Sequence, residues 1–181
     1  MTRTEAIEVI VEAELSALSE DERESLLLDW WSMDEADEEF GELSDLLRAE
    51  MKHVDGPGDA RIHHYDALLR VALRHRFVGV LNEYLSNRLA SLGWSPSSVT
   101  GDVEPLRGCV CCGFRTLPEC GYDVCPVCFW EEDGIQDPDR VSGPNHMTLR
   151  EGRENFARLG AVSENATRHV VEGTGRYAKA G

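Results

Sequence analysis

The stretch CVCCGFRTLPECGYDVCPVCFWEEDG, residues 109–134, decides which kind of fold this chain can form. It contains all six cysteines of a chain of 181 residues. Two Cys-x-x-Cys pairs, Cys109/Cys112 and Cys125/Cys128, are separated by twelve residues. Twelve residues suffice for a short hairpin that returns the second pair to the first. The spacing therefore predicts four thiolates arranged as a tetrahedron around a Zn²⁺ ion.

The hairpin is expected to run outward over 114–117, to turn over 118–121 and to return over 122–124. Gly113 supplies a positive φ after the first pair, and Pro126 stiffens the second turn. A segment of this size buries too little apolar surface to fold alone, whereas structural zinc contributes about 10–16 kcal/mol in comparable peptides. A site made of four sulfurs has no open coordination position, so the predicted zinc is structural and not catalytic.

Five other residues in or near the cysteine pairs have more than one interpretation each. Cys111 and Cys120 are interpreted as small packing residues, with a thiol-redox role as the alternative; Cys111 could also replace Cys109 or Cys112 as a ligand. His146 is expected to make a structural contact, with a role as metal ligand, general base or hydrogen-bond donor to a cysteine as the alternative. Phe129 and Trp130 are expected to cover the zinc site, although a ligand-stacking platform would use the same residue types.

Four motifs together resemble the cysteine-rich CPCC family of small bacterial proteins over about residues 107–160. They are CVCCG at 109–113, CPVCFWEEDG at 125–134, GPNHMTL at 143–149 and REGRENFARLG at 150–160. The resemblance implies a zinc-ribbon type module with zinc at Cys109, Cys112, Cys125 and Cys128, and no assigned enzymatic activity. Val110 stands where the family motif has proline, which softens the first turn without changing a ligand.

The first half of the chain has the pattern of a helical bundle. Capping boxes at Thr2/Glu5, Ser19/Glu22 and Ser32/Glu35 predict helices over about 3–18, 20–31 and 35–53. Apolar spacing predicts a longer helical stretch over about 60–92, which Gly79 kinks or splits. The predicted fold class is α+β and mainly α: an N-terminal helical bundle, then a small β-hairpin zinc ribbon and short C-terminal helices.

Four segments are predicted from composition and motifs. An acidic helical domain covers 1–94, a linker rich in Ser, Pro and Gly covers 95–106, and the zinc-binding module covers 107–160. Residues 161–181 are expected to hold a last helix over about 164–171 and a frayed tail from 173. Within the module, Thr148 and Glu151 form a capping box for a short helix that Gly160 ends.

Charge is distributed unevenly along the chain, whose formal net charge is −16. Residues 1–59 carry nineteen acids and four bases, while residues 60–92 carry two acids and five arginines. The arginine-rich helix is therefore expected to lie near the acidic ones. An acidic surface repels phosphate backbones, so binding to nucleic acid is disfavoured. A basic protein partner, or a role of the charge in solubility alone, fits better.

The functional prediction is a non-enzymatic, cytoplasmic zinc-binding protein that acts as a protein-interaction module, of which an immunity or antitoxin role is one form. No apolar signal segment or membrane span is seen in the sequence, which underlies the cytoplasmic expectation. The first alternative is a thiol-redox or hydrolytic enzyme that uses His146 with Cys111 or Cys120. The second is a nucleic-acid-binding zinc ribbon, which the acidic charge disfavours.

Overall fold

The computed structural model describes residues 1–94, 98–119 and 121–180, and within them the fold is mainly helical with one small antiparallel hairpin, as predicted. The chain divides into two compact units. We call residues 1–77 and 86–100 the helical unit, and residues 78–85 and 101–181 the cysteine unit. The predicted residue Cys120 lies outside the described residues, as does the centre of the predicted linker, 95–97.

Six α-helices and two strands follow one another in the described residues. The α-helices are α1 (Arg3–Ala17), α2 (Glu20–Trp30), α3 (Asp45–His53), α4 (Asp66–His75), α5 (Asn82–Ser91) and α6 (Leu149–Leu159). The strands are β1 (Arg107–Gly108) and β2 (Arg115–Leu117). Short 3₁₀ helices cover Glu38–Glu42, His63–Tyr65 and Asn165–His169.

In the helical unit, α4 packs against both α1 and α2. Its inward side chains Leu68, Leu69 and Leu73 are fully buried with Ile10 and Leu27. This apolar core supplies the packing energy, at about 25 cal/mol per Å² of buried apolar surface.

The arginines of α4 lie beside acidic residues of other elements of the helical unit, as the charge distribution predicted. Arg70 pairs with Glu12 of α1, and Arg74 pairs with Glu8 of α1 and with Glu42. These side chains are partly exposed, so each pair stabilises the fold by at most about 1 kcal/mol.

The prediction of one helix over 35–53 is wrong at its start. The residues after α2 form turns and the 3₁₀ helix Glu38–Glu42, and α3 begins at Asp45 with Ser44 as its N-cap. The carboxylate of Asp34 accepts a hydrogen bond from the Ala36 N–H, a local bond that competes with helix formation. A helix over DEADEEFGE would also place carboxylates one turn apart, and the repulsion between these like charges would destabilise it.

The long helical stretch predicted over 60–92 is split, as Gly79 allowed. Gly79 adopts a φ of 71°, and a Cβ built there would lie 2.2 Å from Leu106 Cδ1. The neighbouring Val80 forms an isolated β-bridge with Tyr177 in the cysteine unit. The segment between α4 and α5 therefore pairs with distant chain, which local helical periodicity does not reveal.

The cysteine unit contains the hairpin, α6 and an extended C-terminal segment. The strand partner of 115–117 is Arg107–Gly108 and not the predicted 122–124, so the hairpin encloses the first cysteine pair. The helix predicted over 164–171 is the 3₁₀ helix Asn165–His169.

The tail from 173 was predicted to be frayed, and this is wrong. Phe114 and Lys179 form a bridge, and Ala180 N–H donates to Gly113 O at 2.7 Å. Within the described residues, no helix combines the length and apolar character that crossing a membrane requires.

Candidate metal centre

The first cysteine pair forms a tight turn closed by backbone hydrogen bonds. Gly113 N–H donates to Cys109 O at 2.9 Å, and Cys109 N–H donates to Phe114 O at 2.8 Å. Gly113 has a φ of 77°, which glycine adopts without steric cost. The turn directs Cys109 and Cys112 to the same side and serves as the loop between β1 and β2.

The second pair repeats this turn, bond for bond. Phe129 N–H donates to Cys125 O at 2.8 Å, and Cys125 N–H donates to Trp130 O at 2.9 Å. Phe129 occupies the position of Gly113 and has a φ of 67°, a conformation that is costly for a bulky residue. Pro126 lies in this turn, and its carbonyl accepts a hydrogen bond from Val171 N–H at 2.9 Å.

The two turns bring four sulfurs together. The Sγ atoms of Cys109, Cys112, Cys125 and Cys128 all lie within 4.8 Å of one another, and all four residues are buried. Two sulfur–sulfur distances, Cys109 to Cys128 and Cys112 to Cys125, are 3.6 Å. A tetrahedron with Zn–S bonds of about 2.3 Å has sulfur–sulfur edges of about 3.8 Å. The predicted ligand residues therefore have spacings that fit a tetrahedral ion.

Electrostatics shows why such a cluster suits a cation. Hydrogen bonds from Cys109, then Cys112 and Cys128, lower the pKa of Cys125. The hydrogen bond with Cys109 raises the pKa of Cys112, and the same neighbour is the largest cause of the raised pKa of Cys128. Four buried thiolates this close together repel each other, which works against full ionisation of the cluster in the absence of a cation. A divalent ion removes this constraint by balancing the charge.

The residues around the sulfurs form a tightly packed wall. Trp130 is fully buried, and a Cβ built on Gly152 of α6 would lie 2.8 Å from its ring. Thr148 caps α6 with Glu151 as predicted, and Gly160 ends it with a φ of 76°. Trp130 therefore packs on α6 as expected. Phe129 instead stacks on His169 at 5.3 Å between ring centroids and remains 40% exposed.

The remaining candidate residues have different environments. Cys111 is buried, with its sulfur 3.6 Å from a Cβ built on Gly152, so it borders Trp130 and α6. His146 is exposed, has a φ of 54° and donates its backbone N–H to Ser142 O at 3.0 Å. The described residues show no hydrogen bond between His146 and Cys111. Whether Cys120 takes part lies outside the described residues.

Two residues of this centre were missed by sequence reasoning. Thr116 of β2 is buried, and its hydroxyl lies 3.1 Å from Cys125 Sγ. Glu132 is only 4% exposed and pairs with Arg107 at 3.1 Å. Its other carboxylate oxygen accepts the Gly134 N–H at 2.8 Å. The run EEDG has the composition of an ordinary polar turn. The sequence therefore carried no signal that Glu132 is buried.

Comparison with known proteins supports the resemblance seen in the motifs. No curated protein matches this chain, and no solved structure matches it. The model of one protein family, described as Cysteine-rich CPCC, matches residues 107–176. The match extends beyond residue 160, where the resemblance was expected to end, and stops before Lys179 and Ala180, which contact the hairpin. Residues 107–176 of this chain, which hold all four clustered cysteines, thus match the Cysteine-rich CPCC family.

Proposed function

We propose that this protein binds one zinc ion through Cys109, Cys112, Cys125 and Cys128, and that the ion holds the cysteine unit in its fold. The observation that carries this proposal is the set of four buried sulfurs within 4.8 Å of one another. A set of four thiolates favours zinc over magnesium or calcium, which prefer oxygen ligands. Four sulfurs also complete a tetrahedral shell, so the ion supplies stability and no reactive position.

Metal analysis of the purified protein tests the zinc site. We expect one zinc per chain by mass spectrometry, and we expect Cys125→Ser and Cys128→Ser to lose it. Cys111→Ser is the matched control, because Cys111 is buried beside α6 but is not one of the four clustered sulfurs. Iron at the same stoichiometry would overturn the choice of zinc. A folded protein that contains neither metal would overturn the site.

We further propose that the protein is not an enzyme and acts by binding a basic protein partner through its helical unit. Support comes from the exposed acids of α2, among them Asp21, Glu24 and Asp29. The arginines of α4 pair with acids of α1 and of the 3₁₀ helix Glu38–Glu42 and leave these α2 positions exposed. Complementary charge speeds association and excludes partners of like sign. An antitoxin that covers a basic toxin is one form of this function.

Salt-dependent recovery of a partner tests the second proposal. We expect a basic protein to co-purify from native cells at low salt and to be lost as salt rises, because charge pairs at a rim are screened. The variant Asp21→Asn/Glu24→Gln/Asp29→Asn should recover less of it. The control Asp102→Asn/Glu119→Gln changes exposed acids of the cysteine unit and should recover as much as the wild type. Equal recovery by both variants would contradict a docking face on α2.

A further inference from the structure

Thr116 lies in β2 with its hydroxyl pointing at the metal centre. It is 8% exposed, and its Oγ1 lies 3.1 Å from Cys125 Sγ. Cys125 is itself fully buried. A polar group buried this deeply requires a hydrogen-bond partner, because leaving it unpaired costs about 1–3 kcal/mol.

Two acceptors compete for the hydroxyl proton of Thr116. The carbonyl oxygen of Phe114 lies 3.4 Å from Oγ1, whereas the Cys125 sulfur lies at 3.1 Å. Sulfur has a larger van der Waals radius than oxygen. Relative to the radii of the atoms involved, the contact with sulfur is therefore much closer than the contact with the carbonyl oxygen. A metal-bound sulfur is also a thiolate, which has no proton to donate and attracts one strongly. Geometry and charge therefore both favour donation to the sulfur.

We propose that Thr116 is a positioning residue that donates its hydroxyl proton to the Cys125 thiolate of the metal-bound protein. This inference rests on the proposed zinc site. The hydrogen bond orients the sulfur lone pairs and withdraws electron density from the metal–sulfur bond. Groups that bond to metal ligands commonly tune the metal in this way. Cys125 is thereby distinguished from the other three sulfurs by the charge it carries.

The position of the donor is built into the backbone of β2. Arg115 N–H donates to Ala178 O at 2.8 Å, and β2 pairs with β1, so the strand is held on both sides. The side chains of Thr116 and Leu117 are both buried, and Arg115 is exposed. The hydroxyl is therefore presented to Cys125 by a rigid element and not by a mobile loop.

Cobalt substitution provides the test, since Co²⁺ in a four-sulfur site absorbs light through sulfur-to-metal charge transfer. In Thr116→Val we expect the charge-transfer band to move to longer wavelength, because a thiolate without the hydrogen bond gives up an electron more easily. Thr116→Ser retains the hydroxyl and should keep the wild-type band. Thr174→Val, an exposed position of the same unit, is the control and should leave the band unchanged.

A second measurement needs no variant and covers the case in which Thr116→Val fails to fold. In wild-type protein loaded with ¹¹³Cd, the Thr116 hydroxyl proton should exchange slowly with water and show scalar coupling to the cadmium nucleus. Absence of that coupling, or an unmoved band in folded Thr116→Val, overturns the proposal while the metal site stands. Failure of the wild type to give the tetrahedral cobalt spectrum would instead overturn the proposed zinc site.

Discussion

Phe129 shows how a single residue departs from the pattern of its own chain. The two cysteine turns make matching backbone hydrogen bonds, yet one places Gly113 and the other Phe129 at the left-handed position. A bulky residue with positive φ costs about 1–3 kcal/mol. The ring recovers part of this through its stacking on His169, although it stays 40% exposed. Backbone strain and ring packing therefore act in opposite directions at one residue.

Two substitutions separate these effects. Phe129→Ala removes the ring and keeps the strained Cβ, whereas Phe129→Gly removes both. We expect the glycine variant to be more stable than the alanine variant by about 1 kcal/mol, opposite to the usual order at ordinary positions. Urea unfolding of the zinc-loaded protein at fixed free zinc measures the difference.

The first turn supplies the mirror experiment. A Cβ built on Gly113 meets nothing within 4 Å, so Gly113→Ala tests backbone strain without a clash. It should destabilise the protein by about 1 kcal/mol. If Phe129→Ala equals Phe129→Gly and Gly113→Ala is neutral, the left-handed geometry of both turns is wrong.

The four clustered cysteines could be identified from sequence because their signal is local. Cys-x-x-Cys closes a tight turn by itself, so spacing alone predicted which sulfurs meet. Thr116 and Glu132 could not be identified as residues of this centre from the sequence. Their side chains are buried by other segments of the chain, which the local sequence does not reveal. Arg107 lies 25 residues before Glu132 and shares no motif with it.

At the scale of elements, α6 shows that close packing can outweigh helix propensity. Gly152 lies inside α6, where glycine is less favourable than alanine by about 1 kcal/mol. A Cβ there would lie 2.8 Å from Trp130 Cζ3, closer than real contacts allow. The glycine therefore lets α6 approach the buried indole that covers the second cysteine turn.

Gly152→Ala should consequently destabilise the cysteine unit, by about 1–3 kcal/mol, although alanine is the better helix former. Glu154→Ala, at an exposed position of the same helix, should change stability by less than about 0.5 kcal/mol. Thermal unfolding of the zinc-loaded variants measures both. A stabilised Gly152→Ala would show that α6 does not approach Trp130 so closely.

The ion pairs between α1 and α4 make a prediction about pH. The pKa of Glu12 is lowered, chiefly because its carboxylate accepts a hydrogen bond from Arg70. Because the pKa of Glu12 is lower in the folded chain than in the unfolded chain, the pair stabilises the fold at pH values above the unfolded pKa. This stability is lost as the pH falls through the folded pKa.

Carboxyl-carbon NMR checks this directly. The Glu12 resonance should titrate below the usual range for glutamate in the wild type and return to it in Arg70→Gln. Arg61→Gln, whose guanidinium pairs with Asp59 and Glu20, should leave Glu12 unchanged. An unaltered Glu12 pKa in Arg70→Gln would mean that the α1–α4 pair does not form in solution.

A capping pattern predicted the start of a helix correctly where the residues that follow it do not favour a turn. Thr2, Ser19 and Thr148 each form the full reciprocal capping box. Ser32 has the same spacing to Glu35 but begins no helix, because turn-forming aspartates follow it immediately. A capping box specifies a start only if the following residues favour the helix.

At the scale of the whole molecule, the proposed zinc ion predicts that the two units draw their stability from different sources. The helical unit has a core of fully buried leucines such as Leu47, Leu68 and Leu69. The cysteine unit has two short strands, one α-helix of its own and long irregular segments around four sulfurs. Small units with limited apolar cores commonly depend on a metal.

Metal removal should therefore affect the units unequally. After treatment with a strong chelator, we expect amide NMR signals of residues 101–180 to collapse toward unfolded positions and those of α1 to α4 to keep their dispersion. Zinc addition should reverse the change, while magnesium addition should not. If all signals persist after zinc is shown to be absent, the ion is not what holds the cysteine unit.

The sequence by itself determined the sulfur set, the mainly helical fold and the starts of α1, α2 and α6, because each depends on residues within a few positions of one another. Only the tertiary structure decided which strand pairs with 115–117, that the segment near Val80 joins the C-terminal tail, and that Thr116 reaches Cys125. The Val80 pairing joins segments far apart in the chain, and the other two join nearby residues that no shared motif links. Nearly every residue offers the same backbone donor and acceptor. The packing of the surrounding structure therefore selects which segments pair, and this choice leaves no pattern in the local sequence.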